Sequence, residues 1–163
     1  MKNDNLKTVL MLLTLLMFVA SQVFAETKLT EKSVYEFAES LQKTVNKQDV
    51  DGFMSHFSAD AKIQMNMPEN LGGTINTTLK DYKAMLVLSW GMPAEFTYEI
   101  KDTSTSIGQD GKSATLKETV LETMAMDGEM MTSTSSVQTS KIVLVSGKPK
   151  IISLEMDITM EGM

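Results

Sequence analysis

Apolar residues recur along this chain at two periods, and the switch between them divides it into helices followed by strands. From Ser33, the stretch SVYEFAESLQKTV puts Val34, Phe37, Ala38, Leu41 and Val45 on one helical face. Ser33 and Glu36 have the spacing of a capping box, which predicts an amphipathic helix starting there. Asp49 is then the N-cap of a second, short helix, with Val50, Phe53, Met54 and Phe57 at i, i+3, i+4 and i+7, although Gly52 weakens it. Ala61 to Met67 alternates instead. Ile63, Met65 and Met67 oppose Lys62, Gln64 and Asn66, as in a half-buried strand, and Pro68 ends it. After the loop PENLGG, a third helix beginning at Thr77 or Thr78 turns Leu79, Tyr82, Met85, Leu86 and Trp90 inward, with Gly91 at its C-cap and Pro93 just beyond.

Past Ala94 the period is two. Phe96, Tyr98 and Ile100 alternate with polar residues, and the run continues through a Thr/Ser-rich stretch to Ile107. Asp110-Gly111 suits a two-residue hairpin turn, whose central positions both need positive φ. Ser113 to Met126 is the next strand, Asp127-Gly128 turns it, and Glu129 to Val145 returns to a turn at Ser146-Gly147-Lys148-Pro149. Lys150 to Met160 closes the meander with Ile152, Leu154, Met156, Ile158 and Met160 on one face. The result is an α+β chain in which three N-terminal helices pack on a mostly antiparallel sheet of long hairpins, curved strongly enough to wrap them. Phe96, Tyr98 and Ile100 are assigned to one face and Leu116 and Val120 to the other. An apolar patch then remains for a second copy, so a homodimer through the sheet is an expected partner. The run from Thr132 to Ser140 reads as solvated sheet surface.

Residues 1–25 have a different character. A polar start with Lys2 and Lys7, a greasy run broadly from Val9 to Ala20 and the ending Val23-Phe24-Ala25 have the form of a cleaved secretory signal peptide. At about 12 residues the run is short of the roughly 20 that a spanning helix needs. The chain is therefore expected to be exported, periplasmic or secreted, with residues 26–163 as a single domain and no membrane attachment after cleavage. There is no cysteine to carry a lipid or form a disulfide. Of 163 residues, 15 are basic and all of these are lysines, against 21 acidic ones, a formal charge of -6. Such a surface repels nucleic acid, and no arginine is present to grip a phosphate bidentately.

The order of elements carries a resemblance. A helix, a short helix running into Phe57-Ser58-Ala59-Asp60-Ala61, a strand, a turn at Gly73-Thr74, the helix TTLKDYKAML and long antiparallel strands resemble the NTF2-like, or SnoaL-like, superfamily over nearly all of the mature chain. The resemblance implies a cone whose curved sheet and helices enclose a pocket, often paired through the outer sheet face. Its members include isomerases, hydratases, epoxide hydrolases, polyketide cyclases and binding modules without catalysis, so the fold leaves the activity open. Steroid-isomerase-like members carry a carboxylate base on or just after the first strand. Here Lys62 to Pro68 holds none, and Glu69 follows the proline in a loop. The lack of arginine also removes the residue that epoxide-hydrolase-like members use between two carboxylates.

The remaining acid/base candidates are Glu118 and Glu122, which share a strand face with Leu116, Val120, Met124 and Met126. Facing into a cone, they would have raised pKa values and serve as acid or base. The more ordinary reading leaves both in solvent, where they keep the sheet soluble. His56, the only histidine, is a candidate general base whose plainer reading is a partly exposed surface residue. Tyr82 and Trp90 are first core residues and second pocket lining; Tyr98, Met65 and Met67 are further candidate ligand contacts. Met124, Met126 and Met131 form a soft thioether set for Cu(I) if Asp127-Gly128 brings Met124 opposite Met131, although methionine is also a flexible core filler. The leading expectation is an exported protein that holds a small apolar or amphipathic ligand without catalysis and without a cofactor. The alternatives are an isomerase, hydratase or cyclase using Glu118 or Glu122, and a periplasmic Cu(I)-binding module.

Overall fold

The computed structural model describes residues 27–160, so the expected signal peptide lies outside the described residues. Helix α1 spans Glu31–Asn46 and buries Val34, Phe37, Ala38, Leu41 and Val45, the face its periodicity predicts. Its capping box sits one turn earlier than Ser33–Glu36. The Thr30 hydroxyl accepts the Ser33 N–H at 3.1 Å, and the Ser33 hydroxyl accepts the Thr30 N–H at 3.0 Å. Glu36 instead pairs with Lys32 at 3.5 Å, one helical turn apart on an exposed face.

Helix α2 is only Val50–Met54, capped by the Asp49 carboxylate, which accepts the Gly52 N–H at 2.9 Å. That cap explains the glycine, because a Cβ at Gly52 would collide with the Asp49 carboxylate. Phe57 does not continue the helix as its spacing suggests. It opens strand β1, Phe57–Asn66, four residues ahead of the expected start, and Ala61, Ile63 and Met65 are buried along it. The PENLGG segment contains a 3-10 turn, Glu69–Leu71, and leads through Gly72 (φ 120°) and Gly73 (φ 65°) into a strand that the pattern does not disclose. This is β2, Thr74–Thr77, which pairs antiparallel with β1 from Ile63↔Thr77 to Asn66↔Thr74.

Helix α3, Leu79–Trp90, starts at Thr78, whose hydroxyl accepts the Asp81 N–H at 3.1 Å. Of its expected inward face only Tyr82 is buried; Leu79, Leu86 and Trp90 are half-buried and Met85 is exposed. Gly91 ends it at φ -83°, not in a left-handed cap. The glycine answers a need for space, since a Cβ there would lie 2.8 Å from the Val87 carbonyl oxygen.

Four long strands follow: β3 (Glu95–Ile107), β4 (Ser113–Met126), β5 (Glu129–Val145) and β6 (Lys148–Met160). The six strands form one sheet in the order β2-β1-β6-β5-β4-β3, antiparallel except where β1 runs parallel to β6. Asp127-Gly128 and Ser146-Gly147 are turns with both residues at positive φ, as hairpin twist demands. Because Ser146-Gly147 suffices, Lys148 and Pro149 already belong to β6. Asp110-Gly111 departs from the expected form. Residues 108–112 separate β3 from β4, only Gly111 has positive φ, and its N–H bonds the Gly108 carbonyl at 2.8 Å.

The register decides which side chains face the helices. Ile100 lies opposite Val120, Tyr98 opposite Glu122 and Phe96 opposite Met124, and directly paired residues point the same way. The apolar positions of β3 and β4 therefore share one face, contrary to the expectation that they divide between two. The hydroxyl-rich run of β5 also splits by alternation: Ser136 and Ser140 face inward and are buried, opposite Val120 and Leu116. They are small enough to sit beneath the helices. A bulge between Lys141 and Ile142 turns Ile151 into the core at 0% exposure and leaves Ile152 outside at 36%, so Ile152 is not on the face of Leu154 and Met156. The inner face packs against α1 around Val34, Leu116, Ile142 and Ile151. On the outer face, Asn66 donates to Asp157 at 2.7 Å, Thr97 bonds Thr123, and Leu121 and Val137 lie half-buried among polar neighbours.

Candidate ligand-binding site

Across the sheet, one row of paired residues runs Thr103, Glu118, Gln138, Met156, Met65. A second runs Tyr98, Glu122, Thr134. Both point to the concave side, where α1 packs against β3 and α3 against β1. Between them lies a cavity of about 220 Å³. Its sheet wall includes Met65, Met156, Gln138, Tyr98 and Glu122. Its helical wall is aromatic: Phe53 lies 5.8 Å from Trp90 and 6.3 Å from Tyr82, ring centre to ring centre, and all three line the space.

The ordinary solvent-facing reading of the two glutamates does not hold. Glu118 is 4% exposed, between buried Leu116 and Val120 on its own face. Burial pushes its carboxyl up from the ordinary 4.5 to about 7. No hydrogen bond or cation among the described residues opposes that shift. Glu122, half-buried at the cavity wall, is raised by burial as well. The tyrosines respond to the same surroundings. Burial raises Tyr82, with a further push from the Glu122 charge, and it raises Tyr98, with pushes from Glu118 and Glu122. Tyr82 is fixed by packing on Phe53 and Phe57, and its hydroxyl points at the Met156 sulfur, 4.0 Å away.

The other sequence candidates are distributed differently. Met65, Tyr82, Trp90 and Tyr98 come together at the cavity, whereas Met67 follows the end of β1, half-buried by Gly72. His56 stands apart, half-buried at the junction of α1 and α2. Its Nδ1 is 2.9 Å from the Gly52 carbonyl, its Nε2 is 3.1 Å from the Ser40 hydroxyl, and its ring packs edge-on to Phe37. Burial lowers its pKa below 6.5, partly offset by its backbone hydrogen bonds. Nδ1 is held within the α2 segment, and Nε2 bridges to α1. The methionine set loses its cross-strand basis, because a bulge pairs Met124 with Thr132 and leaves Met131 as the extra residue, 55% exposed. Sequence reasoning missed Phe53, Phe96 and Gln138 as lining. Gln138 was hidden in the hydroxyl-rich run, where strict alternation from buried Ser136 and Ser140 is the signal that marks it.

Among the described residues, three helices on a six-stranded, mostly antiparallel sheet that curves around a cavity make this the NTF2-like cone fold. The chain is similar in structure to an NTF2-like protein of unknown function from Pseudomonas putida KT2440, with a TM-score of 0.62, 13% identity and coverage of 78% of this chain and 84% of that one. It is similar to the beta subunit of the benzoate 1,2-dioxygenase from Burkholderia mallei ATCC 23344, with a TM-score of 0.66, 14% identity and coverage of 82% and 93%. An NTF2-like protein of unknown function in nutrient uptake from Rhodospirillum rubrum ATCC 11170 gives a TM-score of 0.61, 11% identity and coverage of 77% and 98%. At these identities the likeness carries the fold alone. No protein-family model and no curated protein matches the sequence.

Proposed function

We propose that this is an exported NTF2-like-fold protein that holds a small, largely apolar molecule in its cone without transforming it. The observation that supports this reading is the cavity itself: apolar and aromatic walls with a few converging polar groups, Tyr98, Glu122 and Gln138. A space of about 220 Å³ corresponds to roughly ten non-hydrogen atoms, a single ring with a short substituent. Native mass spectrometry of protein taken from the exported fraction tests it. The expected result is an excess mass on the order of 100 to 200 daltons that is lost when Trp90 and Tyr82 are both replaced by alanine, in a variant shown to fold by circular dichroism. A bare mass together with no ligand-induced change in Trp90 fluorescence contradicts it.

A second reading, an enzyme of the isomerase, hydratase or cyclase kind, is favoured by one observation. Glu122 lines the cavity with its carboxyl raised by burial, and Glu118, at about 7, stands further along the same strand face. The two readings separate when the bound molecule is released and identified. Binding alone returns it unchanged after prolonged incubation, whereas turnover that disappears in Glu118→Gln or Glu122→Gln with the fold retained establishes catalysis.

A further inference from the structure

The polar groups at this cavity have one sign. Glu122 lines it, Glu118 lies outside the lining but on the same concave face, in the row of Gln138 and Met156, and among the described residues no lysine or histidine lines the space. Glu118 is 4% exposed overall and forms no salt bridge among the described residues. Independently, the facing wall is lined by the aromatic rings of Phe53, Tyr82 and Trp90, a residue type that attracts cations. We infer that the ligand is an organic cation, an ammonium group on an apolar body of roughly ten non-hydrogen atoms, with its charge between the aromatic wall and Glu122.

This inference rests on the ligand-binding reading above and adds the charge of the ligand. It also implies proton linkage. The titratable groups around the two carboxyls are Tyr98 on β3, which senses both, and Tyr82 on α3, which senses Glu122; β5 and β6 present the neutral Gln138 and Met156. Both tyrosines are held neutral well above physiological pH, whereas burial raises both carboxyls, Glu118 to about 7. A cation then binds more tightly at pH 8 than at pH 6, releasing a proton as it does so.

Three probes of one shape and different charge separate the outcomes: phenyltrimethylammonium, tert-butylbenzene and benzenesulfonate. Trp90, the single tryptophan, reports their binding by fluorescence. At pH 8 the cation is expected to bind at least tenfold more tightly than its neutral isostere, with the sulfonate weakest. That advantage is expected to shrink severalfold in Glu122→Gln and to vanish in Glu118→Gln/Glu122→Gln, while tert-butylbenzene affinity stays within twofold. Both changes conserve shape, and retained tert-butylbenzene binding shows that the variants fold. The cation is overturned if tert-butylbenzene binds as well as phenyltrimethylammonium, or if the preference survives loss of both carboxyls. Silence from all three probes removes the pocket reading itself.

Discussion

Replacing Glu118 by glutamine keeps the shape of a buried side chain and removes its ability to ionise. In the folded chain the carboxyl titrates near 7, against its ordinary 4.5, because burial disfavours the charged form. The difference corresponds to roughly 3 kcal/mol. Below pH 4.5 both folded and unfolded chains carry the proton, and the glutamate costs little. Between 4.5 and 7 the unfolded chain has lost a proton that the folded chain retains, so wild-type stability falls as pH rises; above 7 the full penalty is present. Urea unfolding of both proteins at unit intervals from pH 4 to pH 8 isolates the effect, since every other titrating group cancels in the difference. The glutamine variant is expected to match wild type at pH 4 and to exceed it by on the order of 3 kcal/mol at pH 8, or roughly 10 °C in melting temperature. A difference that does not vary with pH refutes the reasoning, and so does a wild type that is the more stable at pH 8. Either result means that the carboxylate has a charge-stabilising partner.

Further expectations follow from the same structure. Ile142→Ala removes a side chain with 0% exposure beside the β5–β6 bulge and is expected to lower unfolding free energy by about 2 to 5 kcal/mol, read as a lower urea midpoint at unchanged slope. Thr30→Ala breaks the reciprocal cap with Ser33 and is expected to cost about 1 kcal/mol in thermal melts, whereas Glu36→Ala is expected to cost less than half of that. The His56 ring, followed by NMR, is expected to titrate below 6.5 because burial outweighs its hydrogen bonds. The unfolded chain then takes up this proton first, and the histidine's contribution to stability falls as pH drops through 6.5. A midpoint above 6.5 contradicts the packing described at the α1–α2 junction.

The helices and the long strands were legible because burial imposes a period, and periods survive in sequence. Val34, Phe37, Leu41 and Val45 betray α1, and Asp127-Gly128 betrays its turn, because in each case a single physical requirement selects the residues. What was not legible depended on register. A one-residue bulge at Met131 moves Thr132 opposite Met124, and another exchanges Ile151 for Ile152 in the core; neither leaves a mark in composition. The short strand β2 escaped because its four residues, three of them exposed, carry no apolar alternation. The site was half visible. Glu118 and Glu122 were evident as a same-face pair, but which way that face points is set by pairing with Gln138 and Tyr98 on neighbouring strands. Ser33 shows a milder limit, since it is a capping residue, but at the third helical position and not at the cap.

The most direct test of the account follows the methionine methyl groups by NMR while a neutral probe, tert-butylbenzene, is added. Met65 and Met156 line the cavity, whereas Met130 and Met131 stand 70% and 55% exposed at the start of β5. The account expects the methyl resonances of Met65 and Met156 to move in a saturable way while those of Met130 and Met131 stay in place. If no methyl moves, or only the exposed pair responds, the cavity is not a binding site and the central claim fails.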